Sequence, residues 1–222
     1  MSAELRVLCE GLTEQNFVTQ VLAPHLRPFD VFSRAESLLR GHGGVVPFNV
    51  LRKAIKSDVG RSRDHQFVTT MIDLYALPEF PGAEKVHGES VMQRVSRIES
   101  GMAEALPNPR FIPYVQVHEF EALVFVDLDA LPREFPDGEA AGAPDRLRSQ
   151  IGAMTPEEIN DGGDTAPSKR LIGEVSAYRY LKPIAGPAVA GRIGIAKLRA
   201  ACPHFDWWVT RLEALALPPR QP

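Results

Sequence analysis

The sequence has only two cysteines, and their positions exclude a zinc site built on cysteine. Cys9 and Cys202 stand far apart in the 222 residues and form no Cys-x-x-Cys pair. Cys9 belongs to the apolar run Val7, Leu8, Cys9, so we expect its thiol to be buried as a small hydrophobic group. A chain of this length, 44% hydrophobic and 24% charged, is expected to fold without a disulfide or a structural metal.

Long apolar runs and an excess of positive charge are also lacking. No stretch approaches the roughly 20 apolar residues of a membrane span, and no basic segment followed by an apolar one opens the sequence. We therefore expect a cytoplasmic protein that does not enter a membrane. The net charge of -3 is unlike that of a dedicated DNA-binding module. A nuclease can still carry it if the active site is acidic and the basic residues are local, or if a partner holds the substrate.

Strand and helix patterns alternate through the first half of the sequence. Apolar, β-branched runs predict strands over residues 5–10, 30–33, 67–73 and 111–117. Helical spacing predicts a helix that Thr13 caps and that Pro24 and Pro28 limit, and further helices over residues 49–57 and 89–106. This order is typical of an α/β fold, in which helices cover a parallel sheet.

The second half of the sequence is irregular and then helical. Prolines and glycines follow residue 127, and short helices are predicted over residues 145–153, 156–159, 168–174, 188–201 and 205–216. We therefore expect an α/β core at residues 1–127 and a helical C-terminal region at residues 128–222, packed together as one compact unit. Trp207 and Trp208 could stack on bases, but at least one of them is expected in the core.

Acidic side chains follow three of the predicted strands. The first strand ends at Glu10, the third ends at Asp73, and the fourth runs into Glu119 and Glu121. Ligands of open parallel sheets bind at the carboxyl ends of the strands, so these acids are expected to converge. Converging carboxylates repel one another unless they share a cation or a proton. Ligands that are all oxygen atoms favour Mg²⁺ or Mn²⁺ over zinc.

Two segments resemble the motifs of Toprim proteins. The sequence from Cys9 to Glu14 is similar to the first Toprim motif, a glutamate at a strand end followed by glycine and a helix. The sequence from Met71 to Tyr75 lies where Toprim proteins carry an Asp-x-Asp pair. More closely, the chain resembles a bacterial Toprim-like family, domain-of-unknown-function family 4276. The matching segments are EGLTE (10–14), TTMIDLYALPEFPG (69–82), HEFEALVF (118–125), NDGGDTAPSKRLI (160–172) and CPHFDWW (202–208).

The resemblance implies a Toprim-like fold and metal-dependent phosphodiester chemistry. Toprim enzymes include topoisomerases, primases and nucleases of the overcoming-lysogenization-defect type, some of which act with an ATPase in defence against phage. By position, Glu10 matches the Toprim glutamate, a metal ligand or general base, and Asp73 matches the first acid of the second motif. Tyr75 stands where the second aspartate is expected, so Glu119 or Glu121 could supply the missing oxygen.

Glu119 and Glu121 reach the site together only if a strand continues through them. If a helix begins there instead, we expect one of the two to reach the site, and we favour Glu119 over Glu121. Glu14 could hold an ordered water or a second ion, but acids in the first turn of a helix are also favoured by its dipole. Glu10 and Asp73 could likewise be helix caps or ion-pair partners.

Further candidates come from the segment NDGGDTAPSKRLI. Asp161 and Asp164 flank its loop and are candidate metal ligands. Lys169 is the candidate for stabilising negative charge on a phosphate, and Ser168 could cap the following helix, whose N–H groups also suit a phosphate. His118 is either an acid–base group or a hydrogen-bonded structural residue.

The sequence thus predicts a Mg²⁺- or Mn²⁺-dependent nuclease of the Toprim type that acts on DNA or RNA. The predicted partners are nucleic acid and an ABC- or SMC-type ATPase encoded nearby, and a homodimer is left open. The alternative is a non-catalytic, Toprim-like regulatory or binding subunit of an ATPase complex. Tyr75 in place of the second aspartate and the acidic net charge favour this alternative.

Overall fold

A parallel sheet forms the centre of the structure. The structure is a computed structural model that describes residues 2–39, 46–59, 65–77, 79–84, 86–135, 138–159, 162 and 164–216. Its strands are β1 (Ala3–Cys9), β2 (Val31–Ser37), β3 (Gln66–Asp73), β4 (Phe111–Ile112) and β5 (Val115–Gln116). They are ordered β2-β1-β3-β4, β5 pairs with β3 beyond β4, and every pairing is parallel. The predicted α/β class is therefore confirmed.

Helices surround this sheet and make up the C-terminal region, as the sequence predicted. The α-helices of the described ranges are α1 (Leu12–Phe17), α2 (Ala23–Leu26), α3 (Phe48–Val59), α4 (Val91–Ala105), α5 (Ala143–Ile151), α6 (Pro167–Glu174), α7 (Tyr178–Ile193), α8 (Ile195–Ala201) and α9 (Pro203–Glu213). None of them combines the length and the apolar character that a membrane crossing requires.

The two faces of the sheet are buried against different helices. On β1, Leu5 and Val7 belong to a core shared with Phe17 and with the C-terminal helices, where Trp208 is fully buried. Leu8 points to the opposite core, which contains side chains of α3 and α4. This alternation is what a strand with both faces covered requires. The C-terminal region accordingly packs on the face that α1 also covers.

Pro24 does not end the helix that it was predicted to limit, whereas α2 ends at Leu26, two residues before Pro28. A π-helical segment, Val18–Leu22, joins α1 to α2, and Pro24 lies in the first turn of α2. The widened turn lets the chain pass a residue that has no N–H to donate. The predicted end of the helix at Pro24 is therefore wrong.

Helix α7 begins ten residues before the predicted start at residue 188. The predicted start was too late because Pro183 and Pro187, which lie inside the helix, usually interrupt a helical pattern. Pro187 has no N–H group, so the carbonyl of Pro183 lacks its partner four residues on. Instead, the Asn16 side-chain amide donates to that carbonyl oxygen at 2.8 Å. A hydrogen bond from α1 thus replaces the missing helical bond, and the two helices are joined there. Gly194, with a positive φ of 83°, separates α7 from α8.

The predicted strand over residues 111–117 is two short strands, β4 and β5, with a break between them. Tyr114 lies in this break, and its ring is fully buried. The Trp208 ring stacks on it with centroids 4.1 Å apart, and the Trp208 Nε1–H donates to Thr69 Oγ1 at 2.9 Å. Trp207 is 41% exposed. One tryptophan of the pair is therefore core, as expected, and ties α9 to β3.

We expect Trp208→Ala to lower the free energy of unfolding by about 3–5 kcal/mol, because it removes a buried aromatic ring and leaves a cavity. The neighbouring substitution Trp207→Ala is a matched control. It removes only a partly exposed ring that contacts His204 and Arg211, so we expect a loss of about 1 kcal/mol or less. Urea unfolding of both variants measures the difference, and equal losses would contradict the packing of α9.

Candidate functional site

Sheet register brings the first two predicted acids together. Glu10 follows β1, and its backbone N–H donates to the Met71 carbonyl on β3 at 3.0 Å. Asp73 is the last residue of β3, and its N–H donates to Glu10 Oε2 at 3.0 Å. Two neighbouring parallel strands therefore end with their acids side by side, as the sequence predicted.

The segment that contains Glu119 and Glu121 follows β5. It lies near Glu10 and Asp73 because β5 pairs with the end of β3, with Gln116 opposite Asp73. Ligand oxygens of Asp73, Glu119 and Glu121 lie within 4.8 Å of one another. The sequence left open whether both glutamates or only one reach the site, and the structure brings oxygens of both close to Asp73. Glu119 lies in extended backbone before the 3-10 helix Phe120–Val126, and Glu121 lies in its first turn, so both converge.

Backbone N–H groups hold two of these carboxylates in place. Asp73 Oδ1 accepts from the Phe120 N–H at 2.9 Å. Glu119 accepts from the backbone N–H of Ser168 and, at 3.0 Å, from the Ser168 hydroxyl. Ser168 lies in the first turn of α6, so Glu119 rather than Ser168 supplies the acceptor at this helix terminus. A carboxylate at a helix N-terminus is favoured by both the free N–H groups and the dipole.

Glu121 is the most buried of the acids, with 0% of its side chain exposed. Its Oε2 lies 3.1 Å from Lys182 Nζ, and its Oε1 accepts from the Tyr178 hydroxyl at 3.2 Å. Both partners lie on α7. The sequence did not predict Lys182 as a site residue, because the prolines that follow it obscure the helical pattern. Its spacing of four residues from Tyr178 is the signal that could have placed the two on one helix face.

Part of this cluster lines a pocket of about 220 Å³. Its lining residues are Glu10, Asp73, Tyr75, Glu119, Ala166, Ser168, Lys169 and Lys182. The predicted residue Lys169 is exposed and lies in the pocket wall, while Lys182 reaches the acids from α7. The pocket therefore offers carboxylates, the partly buried ammonium group of Lys182 and the exposed cation of Lys169 within one concave surface.

Other predicted site residues have different surroundings. Glu14 is buried and uses Oε2 to accept the Gly11 N–H at 2.9 Å, so it caps α1. Asp164 is exposed and does not belong to the acidic cluster, and Asp161 lies outside the described residues. His118 is buried with a positive φ of 60°, and its Nε2 lies 3.1 Å from the Glu157 carbonyl oxygen. The contacts of Glu14 and His118 are those of structural residues.

Burial raises the pKa of the clustered acids. For Glu10 it raises the pKa to about 7, opposed by the hydrogen bond from Asp73 and reinforced by repulsion from Glu14. For Glu121 it also raises the pKa to about 7, opposed by attraction to Lys182. Burial and the charge of Glu10 hold the pKa of Asp73 well above its usual range. At least part of this cluster is therefore protonated at neutral pH, unless a cation replaces the protons.

The Lys182 ammonium group is held charged by the same cluster. Burial alone lowers the pKa of Lys182, but attraction to Glu121, Asp73 and Glu119 outweighs it, and the pKa lies above its ordinary value. One ammonium group cannot balance the charge of four carboxylates, so the cluster can bind further protons or a cation.

The donor set fits a hard divalent cation. An ion bound by oxygen lies about 2.0–2.6 Å from each ligand atom, so ligands on opposite sides of it are about 4–5 Å apart. The spread of 4.8 Å among oxygens of Asp73, Glu119 and Glu121 agrees with this geometry. These three residues could therefore hold one ion, with Glu10 beside it.

The fold and the site define an α/β protein with an acidic pocket at the carboxyl edge of a parallel sheet. A family model described as domain of unknown function (DUF4276) matches residues 9–213, so the chain belongs to this family. Searches of curated proteins and of solved structures found no match to the chain.

In the absence of divalent ions, we expect stability to fall as the pH rises from about 5 to 8. The pKa of Glu10 and Glu121 is about 7 in the fold and about 4.3 in the unfolded chain. Their contribution to stability is complete below the unfolded pKa and is lost as the pH rises through the folded one. Thermal melts in EDTA across this range measure the slope. The double variant Glu10→Gln, Glu121→Gln should have a flatter slope, and an unchanged slope would contradict the shifts.

Proposed function

We propose that the chain is a divalent-metal-dependent nuclease that hydrolyses phosphodiester bonds in DNA or RNA, built on a Toprim-like core. The observation that carries the proposal is the convergence of ligand oxygens of Asp73, Glu119 and Glu121 to within 4.8 Å. Asp73 and Glu119 also line a pocket together with Glu10 and Lys182. Structural roles alone do not require acids at the ends of three strands to meet at one point, because their repulsion is unfavourable.

In this proposal Asp73, Glu119 and Glu121 hold Mg²⁺ or Mn²⁺. When bound, the ion supplies Lewis-acid activation of the phosphodiester and stabilises the charge of the transition state. Glu10 lies beside the ligands and accepts the proton of the attacking water. Lys182 stabilises negative charge on the phosphoryl oxygens, and Lys169 attracts the substrate backbone at the rim of the pocket.

The resemblance to Toprim proteins supports the same assignment. Glu10 and Asp73 occupy the positions of the Toprim glutamate and of the first acid of the second motif. Tyr75 replaces the second acid, but Glu119 and Glu121 lie next to Asp73 and provide carboxylate oxygens there. On this resemblance we extend the proposal to a cytoplasmic protein that acts with an ABC- or SMC-type ATPase in phage defence. Assembly as a homodimer belongs to the same extension.

A second candidate function is a non-catalytic subunit that binds or regulates the ATPase. The contacts of the acids favour it: Glu121 already pairs with Lys182, and both Glu119 oxygens accept hydrogen bonds from Ser168. With the raised pKa of Glu10 and Asp73, these contacts let the cluster persist without an ion. Under this reading the pocket is a relic of a metal site and binds no divalent cation.

We expect Glu10→Gln and Asp73→Asn each to abolish metal-dependent cleavage while the thermal melt stays nearly unchanged or rises, because each removes a repelled carboxylate. Cleavage is measured with Mn²⁺ and Mg²⁺ on supercoiled plasmid, single-stranded DNA and bulk tRNA. Glu104→Gln, an exposed glutamate on α4, is the control for loss of one surface charge. Full activity in both site variants would contradict the assignment.

Titration calorimetry with Mn²⁺ on the same proteins separates the two candidate functions. The nuclease requires binding in the wild type and in Glu104→Gln, and weaker binding in Asp73→Asn. A wild type that neither binds Mn²⁺ nor cleaves would favour the regulatory subunit. Binding without cleavage would direct the search to the missing ATPase partner or another activator.

The two lysines of the pocket should affect catalysis differently. Lys182→Met removes a cation that contacts the acidic cluster, and we expect kcat to fall roughly 100-fold or more. Lys169→Met removes an exposed cation in the pocket wall, so we expect mainly a higher KM and a weaker dependence on salt. Steady-state kinetics at several salt concentrations distinguish the two, and Lys182→Arg tests whether charge alone restores kcat. A larger loss of kcat in Lys169→Met would contradict this division.

A further inference from the structure

Tyr75 presents an aromatic ring at the wall of the acidic pocket. It lies in the 3-10 turn Leu74–Ala76 directly after Asp73, and its side chain is 49% exposed. The preceding residue, Leu74, is fully buried, and the Tyr75 N–H donates to the His118 carbonyl oxygen at 3.0 Å. The burial of Leu74 and this hydrogen bond thus hold the backbone at this position, while about half of the Tyr75 surface remains exposed.

The groups around this ring are complementary to the parts of one nucleotide. Lys169 and Lys182 line the same pocket and attract a phosphate, and the acids lie next to them. The face of an aromatic ring stacks on any nucleobase, and cations beside aromatic rings form the surfaces that proteins use for single strands. The ring and the cations line one pocket, an arrangement that suits the base and the phosphate of a nucleotide whose base has left its helix.

We propose that Tyr75 stacks on an unpaired base beside the phosphodiester, so that the substrate is single-stranded or locally unpaired DNA or RNA. The inference rests on the proposed nuclease function and names the substrate class of the same site. In a duplex each base face is covered by its neighbours, so the ring could reach a base only after that base was extruded. The stacking requires the ring and not its hydroxyl group, and no covalent step is involved.

Binding without turnover tests the inference directly. Fluorescence anisotropy in Ca²⁺ compares labelled oligothymidylate, oligouridylate, their duplexes and an abasic oligomer of equal length, which keeps the backbone charge but has no base. We expect Tyr75→Ala to weaken single-strand binding roughly 5- to 100-fold, and Tyr75→Phe to bind as the wild type does. The abasic oligomer should bind the wild type more weakly by a similar factor, with little difference between the wild type and Tyr75→Ala.

Tyr180→Ala is the matched control, because Tyr180 is 82% exposed on α7 and does not line the pocket. Its binding should equal that of the wild type, and thermal melts should show that all variants are folded. Unchanged single-strand binding in Tyr75→Ala, or tighter binding of the duplex by the wild type, overturns the stacking but leaves the nuclease proposal standing. A wild type that binds none of these nucleic acids overturns both.

Discussion

Repulsion among the carboxylates of Glu10, Asp73, Glu119 and Glu121 is the constraint on which the arrangement of the site depends. Parallel pairing of β1, β3 and β5 directs the ends of these strands to one edge, so the sheet itself creates the repulsion. Backbone N–H groups of Asp73, Phe120 and Ser168 then each donate to one of the acids. These fixed donors allow the acids to be buried, but they do not neutralise the charge, which must be met by protons or cations.

Lys182 reaches this edge of the sheet because α7 is hydrogen-bonded to α1 at the point where prolines interrupt the helical bonds of α7. Pro187 leaves the Pro183 carbonyl without a helical partner, and Asn16 of α1 donates to it. Lys182 precedes Pro183, so this bond holds α7 beside the segment that begins at Glu10. The C-terminal region therefore supplies parts of the site, with Lys182 from α7 and Ser168 from α6. The candidate site is therefore not confined to the predicted core at residues 1–127.

Local patterns in the sequence were sufficient to predict β1 and β3 and the acids at their ends. A run of apolar residues that stops at Glu10 or Asp73 is visible without knowing what packs on it, and parallel topology does the rest. Lys182 was not predictable in this way, because prolines within α7 remove the local signal for a helix and a bond from Asn16 compensates for them only in the fold. The convergence of both Glu119 and Glu121 likewise depends on a 3-10 turn, a geometry that side-chain periodicity does not distinguish from a strand or an α-helix.

Tyr75 and the two glutamates that follow β5 lie on neighbouring segments of the site. The bond from the Tyr75 N–H to the His118 carbonyl holds the chain after β3 against the chain that leads to Glu119. An aspartate at position 75 would add a further negative charge to acids whose pKa values are already raised by burial and repulsion. Tyr75 adds no charge there and presents a neutral ring beside the acids, which is the condition for the proposed contact with a base.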